Sequence, residues 1–132
     1  MLAFPLSGSN SEGDGVMPRI LIVDEDFASR QLVITVLERD GWEAKDVPDA
    51  ASALECFRAQ RMDAVLIGEL PAYGGLELCR TMRREQKGKL FIVAYTASAQ
   101  REQEEDLLAR GFDHVLYKPV SVGEIQAAFN AS

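Results

Sequence analysis

Three carboxylates in succession, Asp24, Glu25 and Asp26, follow directly on the apolar run Ile20-Leu21-Ile22-Val23. Carboxylates are costly to bury, so the trio belongs at the end of whatever element the apolar run forms. Four consecutive aliphatic residues are too continuous for one face of a surface strand and read as a strand buried on both sides, as in a parallel sheet. In an open α/β sheet the ligand crevice lies beyond the carboxyl ends of the strands, which makes the acid trio the first place to look for chemistry. Other chemistry-bearing residues are sparse. His114 is the sole histidine and reads as a loop residue of no chemical consequence. Cys56 and Cys79 fall in helical patterns without CxxC or His-rich company and read as small core hydrophobes in a reducing compartment. Glu102, Glu104, Glu105 and Asp106 form an acidic run that reads as a solvated helix face, with a basic partner surface as the alternative.

The elements that must position these groups can be read in order. Residues 7–15, rich in Ser and Gly, cannot bury anything, so residues 1–18 are expected to be a disordered lead ahead of a single domain over 19–130. Asp26 is placed to cap a helix from Phe27 to Arg39, whose Leu32, Val33, Val36 and Leu37 recur at helical spacing and which Gly41 stops. Trp42 to Val47 reads as a short second strand, with Trp42 partly buried, and Pro48-Asp49 opens a helix that buries Ala53, Leu54 and Phe57. Asp63 to Ile67 is a third strand, followed by a turn-rich loop, Gly68 to Gly75, and a helix from Leu76 to Arg84. Leu90 to Tyr95 is a fourth strand, and Ser98 can cap a helix from Ala99 to Arg110 that Gly111 ends. Val115 to Tyr117 is a short fifth strand, Lys118-Pro119 follows it, and Ser121 to Asn130 reads as a last helix. Strands alternating with helices in this way argue for an α/β fold with a parallel sheet covered on both faces, because parallel neighbours need crossover helices.

The composition excludes several classes of function. With 132 residues and a net charge of −7, the chain has room for one core and no electrostatic footprint for nucleic acid or an anionic membrane. No apolar run reaches the roughly 18 residues of a membrane span, and the opening residues lack the basic flank of a signal peptide, so a cytoplasmic location is expected.

Four pieces, each at the end of a predicted strand or just beyond it, together resemble the receiver domain of two-component response regulators over residues 19–130. They are Ile20-Leu21-Ile22-Val23-Asp24-Glu25, the stretch from Pro71 through Gly75-Leu76-Glu77-Leu78, Ala94-Tyr95-Thr96-Ala97, and Tyr117-Lys118-Pro119-Val120. The resemblance implies a flavodoxin-like, doubly wound five-stranded sheet of order 2-1-3-4-5. It implies a site in which a strand-three aspartate takes a phosphoryl group from a phosphohistidine with help from a divalent cation. By resemblance Asp24 and Glu25 are the acidic pair that holds Mg²⁺, Lys118 pairs with phosphoryl oxygens, and the Thr96 hydroxyl turns to the phosphoryl group and reports it.

The nucleophile itself does not align. Counting from Asp63 puts the phosphoacceptor position on Gly68, and counting back from Pro71 puts it on Ile67, because the loop is one residue short. Glu69 is a displaced carboxylate that could stand in; under the Gly68 register, however, strand alternation points it away from the site, as a solvated loop residue. With the third carboxylate gone, Lys118 is free to pair with Asp24 or Glu25, leaving a metal-poor, internally neutralised pocket with Mg²⁺ weak or vestigial. The blander reading of the same residues is a polar network joining three strand ends. Val115 replaces an aromatic that swings inward in active receivers, and Tyr117 is a candidate contact on the output face, with edge-strand packing as its plainer role. The chain is therefore expected to be a pseudo-receiver without enzymatic turnover, a phosphorylation-independent interaction module that meets a histidine kinase or another two-component protein, or a second copy of itself. Two alternatives stand beside it. One is a phosphorylatable Mg²⁺-dependent receiver using Glu69, and the other is a flavodoxin-like small-ligand binder, for which no Gly-rich phosphate loop follows the first strand.

Overall fold

The chain is described by a computed structural model over residues 17–71, 74–97 and 101–130, without the side chains of 101 and 102. The expected lead up to residue 16, the Ser98 cap and the side chain of Glu102 lie outside the described residues.

Strands β1 (Arg19–Val23), β2 (Glu43–Val47), β3 (Ala64–Ile67), β4 (Phe91–Thr96) and β5 (His114–Tyr117) alternate with helices α1 (Phe27–Arg39), α2 (Ala50–Ala59), α3 (Gly74–Glu85), α4 (Arg101–Ala109) and α5 (Val122–Phe129). All neighbouring strands are parallel, and their order is β2-β1-β3-β4-β5. In the central strands every residue but Arg19 at the start of β1 and Thr96 at the end of β4 is buried, because both faces are covered. Ile20 and Ile22 of β1 and Leu66 of β3 pack with Val33, Leu37 and Phe129 under α1 and α5. Leu21, Val23, Val65 and Ile67 pack on the opposite face with Phe57, Leu78 and Met82 of α2 and α3. Each such side chain taken out of water contributes on the order of 2 kcal/mol, which is why continuous apolar runs, rather than alternation, mark these strands.

Local chemistry sets the helix ends. The Asp26 carboxylate accepts from the Ser29 N–H at 2.9 Å to start α1, Asp49 accepts from the Ser52 N–H at 2.7 Å to start α2, and Ser121 with Glu124 forms a reciprocal capping box on α5. Gly41 and Gly111 adopt φ of 97° and 118°, left-handed conformations that let the chain leave α1 and α4 without a Cβ penalty.

Some boundaries differ from expectation. Trp42 precedes β2 rather than opening it, and it is 1% exposed rather than partly buried. Its ring meets Phe129 edge-on at 5.9 Å, and its indole N–H donates to Asn130 at 3.0 Å, so it belongs to the α1–α5 core. His114 begins β5 instead of sitting in a loop. Helix α3 starts at Gly74, inside the stretch expected to be loop, because a helix can begin on small residues that carry no pattern. Of the two thiols, Cys79 is buried and Cys56 half-buried.

Candidate functional site

The carboxyl ends of β1, β3, β4 and β5 lie side by side, and the residues that leave them converge. Asp24 follows β1 directly and is 1% exposed. Its Oδ1 accepts from the Asp26 N–H at 2.9 Å, and its Oδ2 lies 2.7 Å from the Lys118 ammonium, an ion pair formed at contact distance outside hydrogen-bonding angles. Lys118 follows β5. Its side chain is 16% exposed, its backbone N–H donates to the Thr96 carbonyl at 2.8 Å, and its ammonium sits 4.9 Å from the centroid of the Tyr95 ring. Burial pushes the Tyr95 phenol above its ordinary range, so the ring presents a neutral π face to that cation.

Gly68 is the residue after β3, tied to β1 by its N–H donating to the Val23 carbonyl at 2.6 Å. A Cβ at this position would lie 2.2 Å from Asp24 Oδ2 and 2.5 Å from its Cγ. The Asp24 carboxylate thus occupies the volume that a side chain at 68 would enter, and the missing Cβ and the buried ion pair are two sides of one packing arrangement.

Glu69 does not point away. Alternation holds only while the backbone is a strand, and β3 ends at Ile67; two residues later the side chain has turned to the end of β4. Its Oε2 accepts from the Thr96 hydroxyl at 2.9 Å and from the Ala97 N–H at 2.8 Å. The Ala97 N–H foremost, with the Thr96 hydroxyl and the Lys118 charge, holds its carboxyl below the usual glutamate range despite some desolvation. A hollow of about 160 Å³ opens beside it, lined by Ile67, Gly68, Leu70, Thr96, Leu107 and Phe112 among others.

The remaining candidates fall into two groups. Glu25 is exposed and takes no part in the cluster, so the sequence neighbours Asp24 and Glu25 are separated in function: one carboxylate faces in and the other faces out. Any cation drawn to Asp24 would meet the Lys118 ammonium at the same oxygen. Among the described residues, no three His, Cys, Asp or Glu side chains gather as a metal site would need. Val115 is buried in the core beneath α2 and α3. Tyr117 is 37% exposed, and its hydroxyl donates to Glu104 of α4. Packing therefore does not exhaust its role. His114 is half-buried, and desolvation lowers its pKa, with Glu104 opposing.

One supporting residue was not singled out in the sequence reading. Arg30, one turn into α1 from the Asp26 cap, donates to the Asp24 carbonyl at 2.7 Å and to Asp46 at 2.8 Å, fixing the backbone of the acid turn. A basic residue at helical spacing behind an acid cluster was the available clue.

A model of the family described as response regulator receiver domain matches residues 20–130. The sensor histidine kinase AruS of Pseudomonas aeruginosa is 34% identical over 128 residues, which cover 93% of this chain and 13% of the kinase. The DNA-binding response regulator MtrA of Mycobacterium tuberculosis is 30% identical over 119 residues, covering 89% of this chain and 51% of that protein. The chain thus spans about half the length of one such relative and a small part of the other. Among solved structures, a CheY-like receiver domain protein from Methanospirillum hungatei superposes with a TM-score of 0.75 at 27% identity, covering 83% of this chain and 88% of that one. The chemotaxis protein CheY4 of Vibrio cholerae superposes with a TM-score of 0.76 at 25% identity, covering 83% and 93%.

Proposed function

Because the chain belongs to the response regulator receiver domain family, we propose that it is a receiver whose phosphoryl-transfer site is closed by its own side chains and that it signals through protein contact alone. The observation that carries this reading is the Asp24 carboxylate lying in the volume next to Gly68, 2.7 Å from the Lys118 ammonium. Aspartyl phosphorylation needs a carboxylate nucleophile at the end of β3, a divalent cation beside it and a cation free to meet phosphoryl oxygens. Gly68 supplies no nucleophile, Asp24 is committed to Lys118, and Lys118 is committed to Asp24. On this reading Mg²⁺ binds weakly at most, and the domain carries out no turnover.

The reading in which Glu69 serves as a displaced phosphoacceptor has less support. Its Oε2 already accepts from two donors at the end of β4, which holds the carboxylate there in its ionised form as a structural acceptor. We assign as partner a histidine kinase or another protein of a two-component pathway, met through the exposed face where Tyr117 of β5 contacts Glu104 of α4.

Intact mass spectrometry after incubation with phosphoramidate and Mg²⁺ tests the closure. The expected spectrum shows only the unmodified chain. A stoichiometric gain of one phosphate would reverse the reading, and mapping that phosphate to Glu69 would establish the displaced-carboxylate form.

A further inference from the structure

Glu69 offers an oxygen where the end of β4 asks for an anion. Two donors from successive residues, the Thr96 hydroxyl and the Ala97 N–H, converge on the single atom Oε2 at 2.9 and 2.8 Å. Convergence of a side-chain hydroxyl and a backbone N–H on one point is the geometry of an oxyanion receptor, and charge-assisted bonds of this kind are about twice as strong as neutral ones. The Lys118 charge adds to the field at the same carboxyl. Moreover, the three groups stand on different connections: Glu69 leaves β3, Thr96 and Ala97 leave β4 toward α4, and Lys118 leaves β5. A bond between them therefore couples two crossover connections that the sheet hydrogen bonds alone leave independent.

We infer that Glu69 is a resident anion, a built-in ligand that clips the β3–α3 connection to the start of the β4–α4 connection and holds that junction permanently in an anion-bound arrangement. The consequence extends to the outer face. Helix α4 meets β5 through the bond from the Tyr117 hydroxyl to Glu104, so the surface presented to a partner is set by a contact that no kinase or phosphatase changes. This deepens the reading of a closed site and rests on it: Glu69 can serve as the clip only while it is not a phosphoacceptor.

Amide hydrogen exchange on the full chain tests the clip, with wild type compared against Glu69→Ala, Glu69→Gln and Thr96→Val. In Glu69→Ala the Ala97 amide and the amides of α4 are expected to exchange roughly tenfold faster, with β1 and α1 unchanged, because a local opening has lost a charge-assisted bond. Thr96→Val should accelerate the same segment, and the double variant should add little to Glu69→Ala, since both remove one interaction. Exchange over residues 96–109 identical to wild type in a normally folded Glu69→Ala protein would overturn the inference. If Glu69→Ala does not fold, Glu69→Gln takes its place. A smaller acceleration confined to the same segment supports the clip, and none overturns it. The two readings fail separately: unchanged exchange with an unmodified mass removes the clip alone, whereas phosphate on Glu69 removes both.

Discussion

Lys118 and Asp24 illustrate how a buried pair is held by mutual need. With Asp24 1% exposed and the ammonium 2.7 Å away, removing one partner strands the other charge. Lys118→Met is therefore expected to cost about 3 kcal/mol or more, while Asp24→Asn with Lys118→Met together recovers much of the loss; urea denaturation of the two single variants and the double variant measures it. At Gly68 the same packing predicts that Gly68→Ala destabilises by about 1–3 kcal/mol, since a Cβ at 2.2 Å from Asp24 Oδ2 must displace the carboxylate from its partner. Acid acts on other carboxyls. The Ser29 hydroxyl and the Ser52 N–H hold Asp26 and Asp49 below the ordinary aspartate value of 3.8. The folded value is the lower one, so their stabilisation is complete above the unfolded value and is lost as pH falls through the folded one. Thermal scans should accordingly show a decline beginning below about pH 4, shallower in Asp49→Ala than in wild type. The positions of Asp24, Thr96 and Lys118 at the carboxyl ends of their strands were legible in the sequence, because each stands beside a recognisable apolar run. Glu69 was not: its direction depends on how the chain turns after β3, which strand periodicity does not encode.

Arg83 of α3 shows what a helix can do beyond covering a sheet. Its guanidinium donates to the Gly111 carbonyl at 3.0 and 2.6 Å, to the Leu90 carbonyl at 2.6 Å and to Asp113 at 2.6 Å, and Asp113 in turn accepts from the Ile92 N–H at 2.8 Å. One side chain thus ties α3 to the approaches of β4 and β5. Arg83→Ala is expected to cost about 2–3 kcal/mol through the unpaired carbonyls and carboxylate it leaves, read as a fall in melting temperature, whereas Arg80→Ala, at an exposed pair 3.5 Å from Glu77, should change little. The neighbouring Cys79 thiol is pushed up to about 11 by burial, so it should react with a thiol reagent at pH 8 only on the timescale of unfolding. The caps and stops at Asp26, Asp49, Gly41 and Gly111 were readable because they act within a few residues, whereas Ser121, read as the first residue of the last helix, is its cap. The Arg83 hub joins positions about thirty apart, and Trp42 finds its partner in the last helix; neither connection leaves a local pattern.

Across the molecule, the alternation of apolar runs with helical periodicity was enough for the sheet and its two covered faces, because crossovers of this length admit few topologies. What pattern could not decide was the state of the site at the end of that sheet. There the chain resolves its charges internally: Lys118 against Asp24, and Glu69 against Thr96 and Ala97. On the reading proposed above, the domain presents one surface whatever the phosphorylation state of its pathway, and its binding to a partner kinase is predicted to be the same with and without a phosphodonor. The most direct test is a crystal structure of the full chain grown with Mg²⁺ and beryllofluoride, the latter standing for a phosphoryl group on a carboxylate. The account predicts Lys118 still on Asp24, Glu69 still on Thr96 and Ala97, and no beryllofluoride bound. Beryllofluoride on Glu69 with Mg²⁺ held by Asp24 and Glu25 would contradict it.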